Sequence, residues 1–178
     1  PMIISMAGGF PEPAFKNFFA EYRVHLGECD GKNGIVYLGA ERRDKPVIET
    51  YRGDLKTGRL TKIAEHEFGL GVAAHSADHK KLLLGTRYTV GDSVLYLWQN
   101  GKRRLLYGKP LEDRPEGEKV QLNGLGSTVF SPSEKGVLVT SSVFDDSYSL
   151  GYLDLAKPGR FEKVELKGVK HKGAGEME

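Results

Sequence analysis

Short apolar runs between polar turns dominate the pattern of this chain. The three clearest runs are Ile35-Val36-Tyr37-Leu38, Leu82-Leu83-Leu84 and Val137-Leu138-Val139. Their apolar positions are continuous, whereas a helix would place them 3.6 residues apart. Runs of this length between turn residues are typical of strands that are covered on both faces. The pattern therefore predicts an all-β protein whose central strands lie between packed layers.

An internal repeat without gaps connects the second and third runs. Gly69-Leu70-Gly71 and Ser76 recur 55 positions later as Gly124-Leu125-Gly126 and Ser131. A polar turn and an apolar run follow each serine, which predicts a hairpin with its turn at the same place. The first repeat has its own turn, Asp30-Gly31-Lys32, which we align with the stretch from Asp78 to Lys80.

A second signature occurs in all three repeats. A tyrosine precedes an arginine by eight residues, in the pairs Tyr51 and Arg59, Tyr96 and Arg104, Tyr152 and Arg160. The residues between each tyrosine and its arginine are polar or contain glycine, as a turn between two strands requires. The equal spacing predicts one equivalent packing role for the tyrosine in each repeat.

Together these signals predict four strands per repeat. A period near 50 residues built from short strands is typical of β-propeller blades. The predicted fold is all-β, with about three four-stranded antiparallel blades that form an incomplete ring. Phe15, Phe18, Phe19 and Tyr22 are spaced as one apolar helical face, so a short amphipathic helix is predicted around Glu12 to Ala20.

The repeats also predict the division of the chain. The expected segments are an N-terminal segment 1–21, blade 1 at 22–68, blade 2 at 69–123 with a long acidic loop 109–123, blade 3 at 124–168, and 169–178 as the start of another blade or a tail. Three blades cannot close a ring, and their end faces would expose apolar area. We therefore expect a longer polypeptide or self-association.

The composition limits which partners and which cellular compartment are expected for the chain. The 26 basic and 24 acidic residues give a net charge of +2 and are interspersed, which argues against nucleic acid and against an anionic membrane surface. No apolar stretch approaches the roughly 18 residues that a spanning helix needs. Cys29 is the single cysteine, so it forms no internal disulfide, and we expect a cytoplasmic protein.

Candidate catalytic groups do not form a motif. Ser127 follows Gly124-Leu125-Gly126, but no glycine stands two residues after it, so the Gly-x-Ser-x-Gly elbow is incomplete. The two Gly-Leu-Gly segments lack the third glycine of a dinucleotide loop. Because they recur at the same place in two repeats, they are better explained as structural residues at the start of each repeat. We predict no catalytic, cofactor-binding or metal-binding residues in this chain and no cofactor.

The other candidate residues are predicted to have structural roles or to lie exposed to solvent. His75 lies beside Ser76 with Asp78 nearby, but the five histidines lack partners at metal-ligand spacing. Asp145 and Asp146 are predicted to occupy a solvated hairpin tip. Trp98 and the three blade tyrosines are predicted to pack within the blades rather than to stack on a ligand. Lys102-Arg103-Arg104 is interpreted as a solvated edge.

The turns resemble those of a known family. Ser76-Ala77-Asp78-His79-Lys80, Phe130-Ser131-Pro132 and Asp30-Gly31-Lys32 are similar to the Ser-Pro-Asp-Gly-Lys turn of the propeller in prolyl oligopeptidases and acylaminoacyl peptidases, and of TolB-type propellers. In the peptidases the resemblance implies a propeller that gates peptide access to an α/β-hydrolase domain. That domain is not recognisable in this sequence.

Two functions remain at this stage. The chain is either the non-catalytic propeller portion of a prolyl oligopeptidase-like serine hydrolase, or a stand-alone propeller that serves as a protein-interaction platform and is completed by self-association. The expected partner is accordingly a hydrolase domain in the same polypeptide, with a peptide substrate, or a second copy of the chain. A lactonase-like propeller enzyme is a weaker third alternative, because the inner strands begin with Gly, Leu and Ser rather than with metal ligands.

Overall fold

The computed structural model describes residues 1–16, 18–144 and 147–166. The chain divides into two compact units, Pro1–Val72 and Ala73–Glu178. The first unit contains a two-stranded N-terminal sheet and blade 1, whereas most of blade 2 and all of blade 3 belong to the second unit. The expectation for 169–178 and the acidic pair Asp145-Asp146 lie outside the described residues.

Strands account for nearly all regular structure. The N-terminal sheet pairs β1 (Met2–Ile3) with β2 (Glu12–Pro13). Blade 1 consists of β3 (Arg23–Asp30), β4 (Ile35–Glu41), β5 (Ile48–Asp54) and β6 (Arg59–His66). Blade 2 consists of β7 (Gly71–His75), β8 (Lys81–Thr89), β9 (Asp92–Gln99) and β10 (Lys102–Tyr107). Blade 3 consists of β11 (Leu125–Phe130), β12 (Gly136–Ser141), β13 (Ser149–Asp154) and β14 (Phe161–Lys163).

Each blade is an antiparallel meander in which strands pair in chain order. The prediction of three four-stranded antiparallel blades is therefore confirmed. The predicted apolar runs form the second strands, and in blade 2 Leu82, Leu83 and Leu84 are all fully buried. Among the described residues the only helical element is a single 3₁₀ turn, Leu111–Asp113.

The two faces of each blade can be compared by strand register. Directly paired residues point to the same side of an antiparallel sheet, and successive residues alternate between sides. Ile35, Lys81 and Gly136 begin the second strands and pair with Asp54, Gln99 and Asp154, so these positions correspond. The front face of each blade carries Val36 and Leu38, Leu82 and Leu84, or Val137 and Val139. The back face carries Tyr37, Leu83 or Leu138.

The predicted N-terminal helix is wrong. Residues 14–21 form successive turns, apart from residue 17, which is not described. Phe15 and Lys16 have positive φ angles of 61° and 54°, which a right-handed helix does not allow. A helix of nine residues is also marginal by itself, and the aromatic side chains are instead directed onto blade 1.

The tyrosines do not occupy equal positions, which corrects the prediction of one packing role per blade. Tyr51 pairs with Leu38 and Tyr96 with Leu84, so both are buried on front faces. Tyr152 pairs with Leu138 and lies half-buried on the back face. Gly151 matches Tyr51 in register, and a Cβ there would lie 2.1 Å from Phe161 Cε2. Phe161 therefore fills the space that tyrosine fills in the other blades.

The hairpins between the third and fourth strands differ in length, so the same eight-residue spacing from tyrosine to arginine leads to different strand positions. In blade 1 four residues separate the paired Asp54 and Arg59. In blade 2 only Asn100 and Gly101 separate the third and fourth strands, with φ angles of 52° and 74°, as a type I′ turn requires. Arg104 consequently pairs with Leu97, two residues further along its strand than Arg59 is along β6. The eight-residue interval is therefore not a structural equivalence.

The polar turns recur with a corrected alignment. Asp30, Ser76 and Ser131 each stand five residues before the matched second-strand starts, so Asp30 corresponds to Ser76 rather than to Asp78. The Ser76 hydroxyl donates to Asp78 Oδ1 at 2.8 Å and accepts from the Lys81 amide at 2.9 Å. Ser131 accepts from the Gly136 amide at 3.3 Å in the same way. The serine side chain thus closes the turn by accepting from the backbone amide five residues later.

The core of the second unit lies between blades 2 and 3. Leu83, Leu95 and Leu97 on the back face of blade 2 form one buried cluster with Val137, Val139 and Leu153 on the front face of blade 3. The small β-branched residues of blade 3 meet the leucines of blade 2, which is dense packing of the kind that stabilises stacked sheets. Backbone contacts add to it, since the Gly159 amide donates to the Leu106 carbonyl at 2.7 Å.

The long loop 109–123 is attached at both ends to the hairpin that joins β8 and β9. The Arg114 guanidinium donates two hydrogen bonds to Asp92, at 2.6 and 2.9 Å, and lies 5.0 Å above the Tyr88 ring. Asn123 is buried, and its side-chain amide bonds both to the amide and to the carbonyl of Ser93, each at 2.8 Å. These two anchors order a loop that the sequence shows only as acidic.

Candidate functional site

The back face of blade 3 is the candidate functional site. Its central row joins Val129, Leu138 and Tyr152, and the neighbouring row joins Thr140 and Leu150. Val129 is 56% exposed, and the other four are half-buried. The face thus presents a contiguous apolar centre, which at the surface of a folded protein marks an interaction surface.

The same positions in blade 2 are covered. Leu83 corresponds to Leu138, Leu97 to Tyr152 and Leu95 to Leu150, and the three leucines are 0%, 5% and 2% exposed. Their cover is the front face of blade 3. The back face of blade 3 therefore has the apolar character of a covered blade face, yet Val129 is exposed and Leu138, Leu150 and Tyr152 are only half-buried.

An ion pair adds polar contacts to the interface between blades 2 and 3. Lys81 Nζ lies 2.7 Å from Glu134 Oε2, and the Ala77 amide donates to Glu134 Oε1 at 3.0 Å. Both side chains are about three-quarters buried. The hydrogen bond from Lys81, together with that from the Ala77 amide, lowers the pKa of Glu134 below its ordinary value. Glu134 has a positive φ of 51°, like His79 at the matched turn position.

Acid should weaken this interface through Glu134. Because the folded-state pKa of Glu134 is lowered, its contribution to stability is present above the usual glutamate pKa of about 4.3 and is lost as the pH falls through the folded-state value. Glu134→Gln should therefore flatten the acid limb of the stability curve. Urea titrations from pH 7 to pH 3 measure this, with Glu116→Gln on the exposed loop as the control. Equal acid limbs for wild type and Glu134→Gln would contradict the assignment.

Several other sequence candidates lie on strands β11, β3 and β7. Ser127 is exposed on β11, and Cys29 is exposed on β3. His75 stacks on His79 with ring centroids 4.1 Å apart, and its Nδ1 lies 3.0 Å from the Ser76 carbonyl. This geometry matches a histidine that takes part in a turn.

The aromatic and basic candidates lie on blade 2. Trp98 is half-buried and pairs with Leu82 and Arg103. Lys102, Arg103 and Arg104 are all exposed. Arg103 lies 4.9 Å above the Tyr96 ring, while Arg104 donates to the Leu155 carbonyl of blade 3 at 2.7 Å. Two of the three cations thus contribute to packing within the second unit.

An open pocket of about 920 Å³ lies in the first unit, at the start of β3 and the end of β4. Its charged lining consists of three carboxylates and three guanidinium groups: Glu21, Glu41, Asp44, Arg23, Arg42 and Arg43. Arg42 donates to both Asp44 oxygens, at 2.8 and 2.7 Å. The lining balances its own charge and therefore selects no charged ligand class.

The important residues that sequence reasoning missed are Leu150 on the open face, Glu134 at the interface and Gly53 on blade 1. Leu138 was noticed only as part of a buried run. The repeat alignment contained a usable signal, since Leu83, Leu97 and Leu95 map onto Leu138, Tyr152 and Leu150 when strands are paired from their turns. Which of the matched faces is covered cannot be read from such an alignment.

Comparison with solved structures identifies the fold. TolB from Acinetobacter baumannii superimposes with a TM-score of 0.57 and 16% sequence identity, over 94% of this chain and 37% of that one. The fold is that of β-propeller blades. At this identity the similarity extends to the fold alone, and the chain spans little more than a third of the TolB structure.

A second structure, from a study of two prolyl endopeptidases, matches with a TM-score of 0.49 and 13% identity, over 82% of this chain and 22% of that one. Because that score is below 0.5, the fold assignment rests on TolB. No family model matches the sequence, and no curated protein matches it. In the part of the chain that the structure describes, no helix has the length and apolarity needed to cross a membrane.

Proposed function

We propose that this chain is a non-catalytic β-propeller segment that acts as a protein-binding module, and that the back face of blade 3 is the surface through which it assembles. The observation that carries the proposal is the contrast between Leu83, which is fully buried, and the matched Leu138, which is half-buried. The occupant is a further propeller blade whose front face resembles that of blade 3.

The existing interface between blades 2 and 3 supports the choice of occupant. Leucines on one back face meet Val137, Val139 and Leu153 on the next front face. The open face offers Leu138, Leu150 and Tyr152 in the same registers. A front face built from valine and leucine would therefore bury the open face as the front face of blade 3 buries the back face of blade 2, and removal of this apolar area from water drives the association.

The narrower hypothesis is that the completed ring gates a prolyl oligopeptidase-like hydrolase domain. The observation that favours it is the repeated serine turn at Ser76 and Ser131, whose residues resemble the turn of the peptidase propellers and whose hydroxyls accept from backbone amides. A fluorophosphonate probe tests it, because an assembly that includes such a domain would carry a labelled serine outside this chain.

Protection of the open face in the native assembly tests the proposal. In a Cys29→Ser background, a cysteine introduced by Leu150→Cys should react with a maleimide in the isolated chain, because the Leu150 side chain is only half-buried and is partly exposed to solvent. In extracts of cells that produce the protein natively, the reaction should be at least about ten-fold slower, because a blade covers the face.

Thr57→Cys in the same background is the matched control, since Thr57 is exposed in the turn of blade 1 and should react equally in both preparations. Equal labelling of Leu150→Cys in the isolated chain and in the extract would refute the proposal. Protection that appears in the isolated chain alone, as its concentration rises, would identify a second copy as the occupant and also overturn it.

A further inference from the structure

Residues 14–16 and 18–22 of the N-terminal segment cover the front face of blade 1. Phe19 is buried in one cluster with Val36, Leu38, Ala40 and Tyr51, and Phe15 and Tyr22 pack against that cluster. Phe19 meets the Tyr51 ring edge to face, with centroids 5.5 Å apart and an interplanar angle of 87°. Aromatic pairs in this arrangement contribute beyond their buried area. We call residues 14–16 and 18–22 the aromatic cap.

Blade 1 differs from the other blades at one position, and the difference makes room for the cap. Gly53 pairs with Val36, whereas Trp98 and Leu153 occupy the matched positions of blades 2 and 3. The Phe15 ring lies directly over Gly53, because a Cβ there would be only 2.3 Å from Phe15 Cζ. A side chain such as leucine at position 53 would therefore exclude Phe15.

The backbone of the cap is shaped for this contact. Phe15 and Lys16 adopt positive φ angles of 61° and 54°, which are unfavourable for residues with a Cβ. The turn is retained because the Ala14 amide donates to the Pro1 carbonyl at 3.0 Å and because the rings pack on blade 1. Arg42 lies 5.6 Å above the Tyr22 ring at the far end of the cap.

The cap occupies a surface that another blade covers elsewhere in this chain. On blade 3 the matched front face, with Val137 and Val139, packs against the leucines of blade 2. On blade 1, Val36 and Leu38 pack against Phe19 instead. The aromatic cap therefore replaces the back face of a preceding blade.

We propose that the aromatic cap closes the front face of blade 1 to any incoming blade, so that the chain assembles through blade 3 alone and does not associate head to tail with a second copy. The inference rests on the proposed function of the open blade 3 face. It also narrows the choice of partner: because the front face of blade 1 is already covered, the blade that covers blade 3 is not blade 1 of a second copy of this chain.

Opening the cap should produce the association that it prevents. The double variant Phe15→Ser/Phe19→Ser and, independently, Gly53→Leu should associate at concentrations at least about ten-fold lower than the wild type, measured by sedimentation velocity. Adding Leu138→Lys to either variant should restore the wild-type behaviour, because a lysine on the back face of blade 3 removes the other half of the contact.

Phe10→Ser is the matched control, because Phe10 is 95% exposed and lies outside the cap. Hydrogen exchange of β4 and β5 confirms that blade 1 remains folded, and Gly53→Leu provides a front face like that of blade 3 if the serine variant unfolds. Folded cap variants that associate no more readily than the wild type would overturn the cap proposal. Association that Leu138→Lys does not reverse would uphold the cap but overturn the assignment of the blade 3 face, so the two failures are distinguishable.

Discussion

Leu83→Ala should lower the free energy of unfolding of the second unit by about 3 kcal/mol, the usual cost of truncating a buried leucine. Leu83 is fully buried in the cluster between blades 2 and 3, so its removal leaves a cavity with little room to collapse. The matched variant Leu138→Ala should cost only about 1 kcal/mol, because part of that side chain already contacts water.

Urea denaturation followed by Trp98 fluorescence measures both variants, because Trp98 is the only tryptophan and lies on blade 2. The two positions share residue type, strand and register, so the difference isolates the effect of a covering blade. Equal costs at Leu83 and Leu138 would mean that the back face of blade 3 is covered in the isolated chain.

Arg114→Met should also destabilise the second unit, by about 3 kcal/mol, because it leaves the Asp92 carboxylate without its bidentate partner. The Arg114 and Asp92 side chains are only 10% and 12% exposed. The guanidinium also donates to the Lys109 carbonyl at 2.9 Å, so the loop 109–123 should lose an anchor. Faster hydrogen exchange in that loop is the second expected result.

A double variant separates the charge from the packing. Arg114→Met/Asp92→Leu removes both charges together and should recover most of the lost stability, because replacing a buried ion pair by apolar groups is often close to neutral. Denaturation of the two single variants and the double variant measures the coupling. Additive losses would indicate that the two side chains contribute independently and that the ion pair does not anchor the loop.

The cap and the open face give blades 1 and 3 opposite properties. Phe19 buries the front face of blade 1, whereas Leu138 and Leu150 leave the back face of blade 3 available. Under our two proposals the chain adds a blade at blade 3 alone, which would limit head-to-tail polymers, the usual hazard of a heterologous interface that does not close.

Much of the architecture could be predicted because its signals are local. The apolar run Leu82-Leu83-Leu84 and the turn at Ser76 depend on neighbours within a few residues, and both were placed correctly. The register of the strands was harder to predict from the sequence. The spacing of Tyr152 and Arg160 matched the other repeats, yet different hairpin lengths placed Tyr152 on the opposite face from Tyr51, since a shift of one residue reverses the side on which a strand residue lies.

The helix predicted for the N-terminal segment was wrong for a related reason. Phe15, Phe18, Phe19 and Tyr22 have helical spacing, but helix propensity over nine residues is weak. Packing of Phe15 over Gly53 involves a residue 38 positions away, and no pattern within the segment records it. Tertiary contact therefore decided the backbone conformation there.

The sequence by itself determined the three four-stranded blades and the polar turns after Ser76 and Ser131, because these follow from hydrophobic pattern and turn chemistry within each repeat. Tertiary structure alone decided which blade faces are covered. Leu83 and Leu138 are both leucines at the same strand position. Their burial differs because Val137 and Val139 of blade 3 lie over Leu83. Burial depends on what packs across a face, so the open surface of blade 3 and the aromatic cap of blade 1 became visible only in the folded chain.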